Sequence, residues 1–287
     1  SLLYEKFCVL NELNGAKVRM GGSSEFKRFG HDLKHQVFEN VFKRHKTVSY
    51  KRLQRYLAEN LQGGANSQIK GAQGEAGFVS KLEAWNDFCR ILNVDDLESD
   101  ECPLTVDQIE KIILWSTIFE DKSIYKRKLD ELNAELENPL SDDQLAKLLR
   151  LRYEGWGNLS RKLLEGIYTG QTNDRVEKRP GWKANAHTIM DILENGNPLP
   201  GKHNESMLFM EIVHDKDFGF EKTIEQINKE RFADGNKISI EDLPGSPALR
   251  RTVNQAMLVV DELVKVAGKR SPKTICIEVT RDDDLNR

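Results

Sequence analysis

Apolar residues recur at three- and four-residue steps along most of the chain, a spacing that predicts amphipathic helices. The first run, with Leu2, Phe7, Leu10 and Leu13 on one face, predicts a helix at the start of the chain. Further helices are predicted around Val37–Phe42, after a cap at Thr47 or Ser49, over Lys81–Leu92, Thr105–Phe119 and Ser123–Leu136, and from Ser141 onward. The pattern therefore predicts a mainly α protein.

Three polar, glycine-containing stretches interrupt this pattern. They are Gln62–Gly77, Gly170–Trp182 and Asn195–Asn204, and we expect each to be a surface loop between helices.

The pattern of hydrophobic and polar residues changes after Asp242. Ser246 can cap a helix whose first turn accepts Pro247, and a run of about twenty residues then leads to Gly268, a good residue just beyond a helix end. Lys273–Thr280 alternates in the manner of a β-strand. Because a lone strand is unstable, we expect its sheet to lie elsewhere in a longer protein, from which both ends of this chain look cut.

The composition is that of an ordinary soluble chain. Of 287 residues, 31% are charged, the formal net charge is −3, and no apolar run is long enough to span a membrane. The overall charge does not favour nucleic acid, but the segment 26–55 holds nine basic and only two acidic residues. A solvated helix face is the simplest explanation of that segment. The four cysteines are widely separated, which indicates reduced thiols in a cytoplasmic protein.

Glu278 lies inside the predicted strand, between Ile277 and Val279. A glutamate is unusual in a hydrophobic strand and costly to bury unpaired. It is either an edge-strand residue that points to water or a metal-binding carboxylate that projects from a sheet, as in two-metal nucleases. The local sequence leaves both readings open.

The second candidate is Arg150–Leu163, where two glycines flank Trp156 between basic residues. The segment is either a helix–helix turn anchored by the tryptophan or a place where the backbone approaches a phosphate.

The chain also contains two histidine patterns with candidate chemistry. His31 and His35 are one helical turn apart, but Asp32 stands where a zinc protease needs a glutamate, so an independent metalloenzyme is nearly excluded. His214 is expected to end a helix before Asp215 and to interact with the helix dipole.

Taken in order, several segments closely resemble the RNA-guided DNA endonucleases of type II CRISPR systems. They are Ser1–Leu13, Tyr153–Leu163, Ile212–Asp215, Gly245–Val266 and Ile275–Val279. The resemblance implies that residues 1–240 belong to the later part of a helical recognition lobe, which cradles the duplex of guide RNA and target DNA. It implies that residues 241–287 supply one helix and one strand of a split, RNase H-like RuvC nuclease domain.

The resemblance also implies roles for individual residues. Glu278 matches a catalytic ligand of magnesium or manganese, whose partner ligands lie in other segments of the enzyme, so this chain alone is not expected to cut DNA. The matched nucleic-acid contacts are Tyr4, Trp156, Met210 and His214, together with the basic pair Lys17 and Arg19.

Two positions depart from the family pattern. Asn158 stands where the family has an arginine, and Glu211 stands where it has a phosphate-contacting glutamine. A carboxylate would repel a phosphate, so we do not expect Glu211 to contact the backbone, and Arg161 or Lys162 is a possible substitute.

The sequence thus predicts part of a bacterial antiviral endonuclease whose partners are guide RNA, target DNA and the remaining parts of the same enzyme. The alternative is a helical protein-interaction module, for example the docking surface of an anti-CRISPR inhibitor or of another lobe.

Overall fold

The computed structural model describes residues 1–71, 76–119, 122–153, 157–170, 186–199, 201–202, 205–233 and 247–266. The chain forms two compact units, Ser1–Gly235 and Asn236–Arg287. The described part of the second unit is a single helix. The mainly α fold class is confirmed. The predicted strand at 273–280 lies outside the described residues, and the assignment of 241–287 to a nuclease domain depends on residues outside them.

Helices dominate the first unit. The helices are α1 (Leu2–Gly15), α2 (His31–Val37), a π-helical turn (Phe38–Phe42), α3 (Tyr50–Asn60), α4 (Glu83–Leu92), α5 (Val106–Ile118), α6 (Lys122–Ala134), α7 (Asp142–Leu148), α8 (Arg161–Glu165), α9 (Ile189–Asn195), α10 (Phe209–His214) and α11 (Phe220–Ala233). The second unit contains α12 (Pro247–Val266).

Local capping explains several helix starts. Ser49 accepts a hydrogen bond from the backbone N–H of Arg52 at the start of α3. Thr105 and Ser141 form capping boxes at the starts of α5 and α7. The predicted starts at these three positions are confirmed, and Ser49 rather than Thr47 is the cap of α3.

A small antiparallel sheet was not predicted. It consists of β1 (Lys17–Arg19), β2 (Lys27–Arg28) and β3 (Gln68–Lys70), in the order β2-β1-β3. The prediction that 62–77 is entirely a loop is wrong, because β3 lies within it and pairs with β1. A strand of only three residues, Gln68–Lys70, is too short to show a hydrophobic period, and its pairing with the distant β1 makes it a strand.

The helix α1 lies at the centre of the core, with Val9, Leu10 and Leu13 almost completely buried. It packs against α4 and α9, and α9 also contacts α8 and α10. The side-chain amide of the buried Asn14 donates to the carbonyls of Leu193 (2.9 Å) and Met207 (2.8 Å), which ties the end of α1 to the segments around α9.

Two carboxylates of α1 replace side-chain caps around the start of α4. Glu12 accepts hydrogen bonds from the backbone N–H groups of Val79 (3.0 Å) and Ser80 (2.7 Å). Glu5 accepts from the backbone N–H of Ala84 at 2.9 Å, one residue into α4. Thus α1 anchors the first unit through both apolar and polar contacts.

Candidate nucleic-acid interface

Tyr4 and Asn158 are in contact although 154 residues separate them. The side-chain amide of Asn158 donates to the Tyr4 hydroxyl oxygen at 3.4 Å. A methyl group at Gly157 would lie only 3.1 Å from Cγ of Tyr4, so the missing side chain lets this loop close on the ring. Burial raises the pKa of Tyr4, which keeps its hydroxyl neutral. The two residues form a neutral polar pair that can hydrogen-bond to a phosphate oxygen.

An aromatic chain connects this pair to α10. The Tyr4 ring stacks on Phe7, and Phe7 meets the edge of Phe209 at a centroid distance of 5.3 Å. The next residue, Met210, is 55% exposed. His214 follows one helical turn later and is also exposed, with Nδ1 3.5 Å from a carboxylate oxygen of Glu221. The helix α10 therefore presents Met210 and His214 on one face beside the Tyr4 region.

The sheet carries a basic face. Lys17 lies opposite Arg28 on one side and Lys70 on the other, and Arg19 is two residues along the same strand. Directly opposite residues share a face, so all four cations lie on one side while Val18 is buried on the other. Phe26 lies between two of these cations, 5.1 Å from the Arg19 guanidinium and 4.4 Å from the Lys70 amine.

A bidentate ion pair joins this sheet to α10. The guanidinium of Arg28 donates to both carboxylate oxygens of Glu211 at 2.8 Å. The same guanidinium holds the pKa of the Glu211 carboxyl below its usual range, and one carboxylate oxygen also accepts from the backbone N–H of Leu208. Glu211 therefore has a structural partner within the chain, and its lack of contact with a phosphate stays a prediction.

Arg161 is occupied by two carboxylates. Its guanidinium donates to Asp107 at 2.7 Å and to Glu165 at 3.1 Å, and these bonds raise its pKa. A phosphate would have to displace at least one of them. Its predicted role as a substitute phosphate contact stays a prediction that the geometry disfavours.

Two predicted site residues, Trp156 and Glu278, lie outside the described residues, as do Ser246, Gly268 and Cys276. Within the described part, no three histidine, cysteine or acidic side chains come together as a possible metal site. His31 instead contacts Asp32 and the side-chain oxygen of Asn195. Burial raises the pKa of Cys89 to about 11, which disfavours its thiolate form.

Sequence reasoning missed Phe26, Arg28 and Lys70 as members of the basic face. Alternation of Lys17 and Arg19 was the available signal, but strands of two or three residues cannot be paired from the sequence alone. The helices α1 and α10 and the sheet bring six of the predicted contact residues onto elements that contact one another. We call these residues the candidate surface; they are Tyr4, Asn158, Met210, His214, Lys17 and Arg19.

None of the described helices is both long and apolar enough to cross a membrane. A family model described as the REC lobe of CRISPR-associated endonuclease Cas9 matches residues 1–228. The chain is 29% identical over 288 residues to a CRISPR-associated endonuclease Cas9 of Streptococcus mutans serotype c. It is 31% identical over 287 residues to that of Listeria innocua serovar 6a. Each match covers 99% of this chain and 19% of the relative, so the chain spans about a fifth of their length.

Proposed function

Because this chain belongs to the Cas9 recognition-lobe family, we propose that its first unit binds the backbone of a guide RNA–target DNA heteroduplex through the candidate surface. The contact of Tyr4 with Asn158, on elements joined to α10 by the Phe7–Phe209 ring pair, is the observation that carries the proposal. Such enzymes leave sequence reading to base pairing and recognise the heteroduplex by its shape and backbone.

The proposed roles follow from the chemistry of each group. Tyr4 and Asn158 offer hydrogen bonds without charge, and Lys17 and Arg19 attract the phosphates. Met210 and His214 offer an exposed thioether and an imidazole that can pack on sugars. Trp156 is proposed to complete the phosphate contact beside Gly157.

We further propose that the intact protein is an RNA-guided DNA endonuclease of the bacterial cytoplasm. Glu278 would be one ligand of magnesium or manganese in its RuvC-like site, and the partners of the chain would be guide RNA, target DNA and the rest of the enzyme. The support for Glu278 is the resemblance of Ile275–Val279 and the chemistry of a carboxylate as a ligand of hard divalent cations.

Binding of an RNA–DNA hybrid tests the first proposal. A labelled hybrid of about 20 base pairs is titrated with the chain at about 50 and 200 mM salt. We expect affinity to fall steeply with salt, and we expect Met210→Ala with His214→Ala to weaken binding several-fold. Met257→Ala with His35→Ala is the matched control, since Met257 is 51% exposed on α12 and His35 is an exposed histidine of α2.

Equal binding by both double variants would refute the assignment of the surface. Absence of hybrid binding by the unmodified chain would refute the function itself.

The second candidate function is docking of another protein, either an anti-CRISPR inhibitor or another lobe. It is favoured by α12, on which Leu258, Val259 and Leu263 are 51 to 62% exposed. A chain whose only function is to dock another protein would show little binding of the RNA–DNA hybrid at either salt concentration.

A further inference from the structure

A basic cleft lies between the π-helical turn and α3. Its volume is about 500 Å³. Lys51, Arg52 and Arg55 line it together with His45, Tyr56 and one described carboxylate, Glu59. None of these residues belongs to the candidate surface. A π-helical turn within a helix is a frequent mark of a functional site.

The cations of the basic segment 26–55 fall into two groups, those paired with carboxylates and those without an ion-pair partner in the described residues. Lys43 is buried among the carboxylates of Glu39, Asp96 and Glu98 at 3.0 to 3.3 Å. Two further ion pairs neutralise its neighbours, Arg44 with Asp95 and Lys46 with Glu83.

The cations of the cleft are different. Within the described part of the chain, Lys51 and Arg55 make no ion pair, and the hydrogen bond of Arg52 goes to the neutral carbonyl of Thr47 at 2.9 Å. The charge at residues 43–46 is therefore paired with carboxylates, whereas the cations at residues 51–55 make no ion pair within the described part of the chain.

The helix geometry concentrates this charge. Lys51 and Arg55 are four residues apart and Arg52 and Arg55 are three apart, so the three side chains leave neighbouring positions of α3. Lys51 and Arg52 also lie in its first turn, where the helix dipole adds positive potential. Burial and then the Arg52 charge lower the pKa of His45, which agrees with a positive field in the cleft.

Tyr56 adds a flat surface beside the cations. The side-chain amide of Asn40 donates to the Tyr56 hydroxyl at 3.2 Å and to the carbonyl of Gln36 at 2.9 Å, which fixes the phenol against the π-helical turn. A basic groove with an aromatic ring is how proteins hold single strands, with phosphates on the cations and a base or ribose on the ring. An acidic peptide would satisfy the charge but would make no use of the ring.

We propose that this cleft binds the phosphodiester backbone of a single-stranded nucleic acid, as a second contact beyond the heteroduplex surface. The strand could be RNA or DNA, which share this chemistry.

Anisotropy titrations with labelled single strands of about twelve nucleotides, one RNA and one DNA, test the cleft. The test variant combines Lys51→Gln, Arg52→Gln and Arg55→Gln. The control combines Lys126→Gln, Arg127→Gln and Lys128→Gln, which removes the same charge from exposed cations of α6 that are paired with Asp130 or Glu131. We expect the affinity of the cleft variant to be about tenfold lower, and the slope of its log affinity against log salt concentration to be shallower by about two. We expect the affinity of the control to fall by less than about twofold.

The single variant Arg55→Glu should show the same direction of change if the triple variant folds poorly. The RNA and DNA titrations identify the strand that binds more tightly. Equal losses in the cleft and control variants, or no loss in the cleft variant, would overturn the proposal, as would equally effective competition by an oligoglutamate peptide. Hybrid binding by the Met210→Ala, His214→Ala variant is measured in parallel, so failure of the heteroduplex surface is distinguished from failure of the cleft.

Discussion

Glu5, on α1, has an unusually high pKa for a glutamate. Its carboxylate accepts hydrogen bonds from the backbone N–H groups of Ala84 and Trp85, which favour the ionised form. Burial outweighs these bonds and raises the pKa of Glu5 to about 7. The folded protein therefore holds a proton that the unfolded chain releases near its ordinary pKa of 4.5.

This difference predicts a pH dependence of stability. The free energy of unfolding should fall as the pH rises from about 4.5 to about 7, by at most about 3 kcal/mol from this residue. Glu5→Gln should flatten that part of the profile. Urea unfolding at several pH values measures it, and identical slopes for the variant and the unmodified chain would contradict the assignment.

At the scale of the element, long-range contacts decide what the sequence could not predict. The helices α3, α5 and α7 were predicted because their hydrophobic period and caps are local. The strands were missed because each depends on a partner many residues away. The same holds for the candidate surface. Resemblance identified Tyr4 and Asn158 separately, whereas their contact and the Arg28–Glu211 pair required the fold.

The Arg28–Glu211 pair should contribute measurably to holding β2 on α10. A double-mutant cycle with Arg28→Met and Glu211→Gln should give a coupling free energy of about 1 kcal/mol, because both oxygens are engaged. The exposed α6 pair of Lys126 and Asp130 is the control, with about 0.3–0.5 kcal/mol expected. A coupling free energy for Arg28 and Glu211 no larger than that of the control pair would show that the bidentate pair adds no extra stability. Thermal or urea unfolding supplies the energies.

At the scale of the whole molecule, net charge conceals the distribution that matters. A formal charge of −3 gave no indication of nucleic-acid binding. The structure separates cations that carboxylates neutralise, such as Lys43 and Arg28, from the cleft cations Lys51 and Arg55, which make no ion pair within the described residues. The sequence could predict the basic segment but not this division, because the neutralising Asp95, Asp96 and Glu98 come from a distant loop.

The chain by itself should not cut DNA. Two-metal cleavage requires several ligands around the scissile phosphate, and the resemblance implies that the partner ligands of Glu278 lie in other segments of the enzyme. Supercoiled plasmid incubated with the chain and Mg²⁺ or Mn²⁺ should stay intact. Nicking that disappears in a Glu278→Gln variant would contradict this expectation, whereas nicking that persists in the variant would indicate a contaminant.

The two carboxylates of α1 also have a consequence for how the first unit folds. Glu5 and Glu12 bond to amides 67 to 80 residues away, so the start of α4 and the segment before it receive these bonds only after a long loop has closed. Opening of α1 would expose the amides of Ala84 and Trp85 to solvent exchange together with its own. The two helices thus form one cooperative unit, in which neither α1 nor the start of α4 can fray independently.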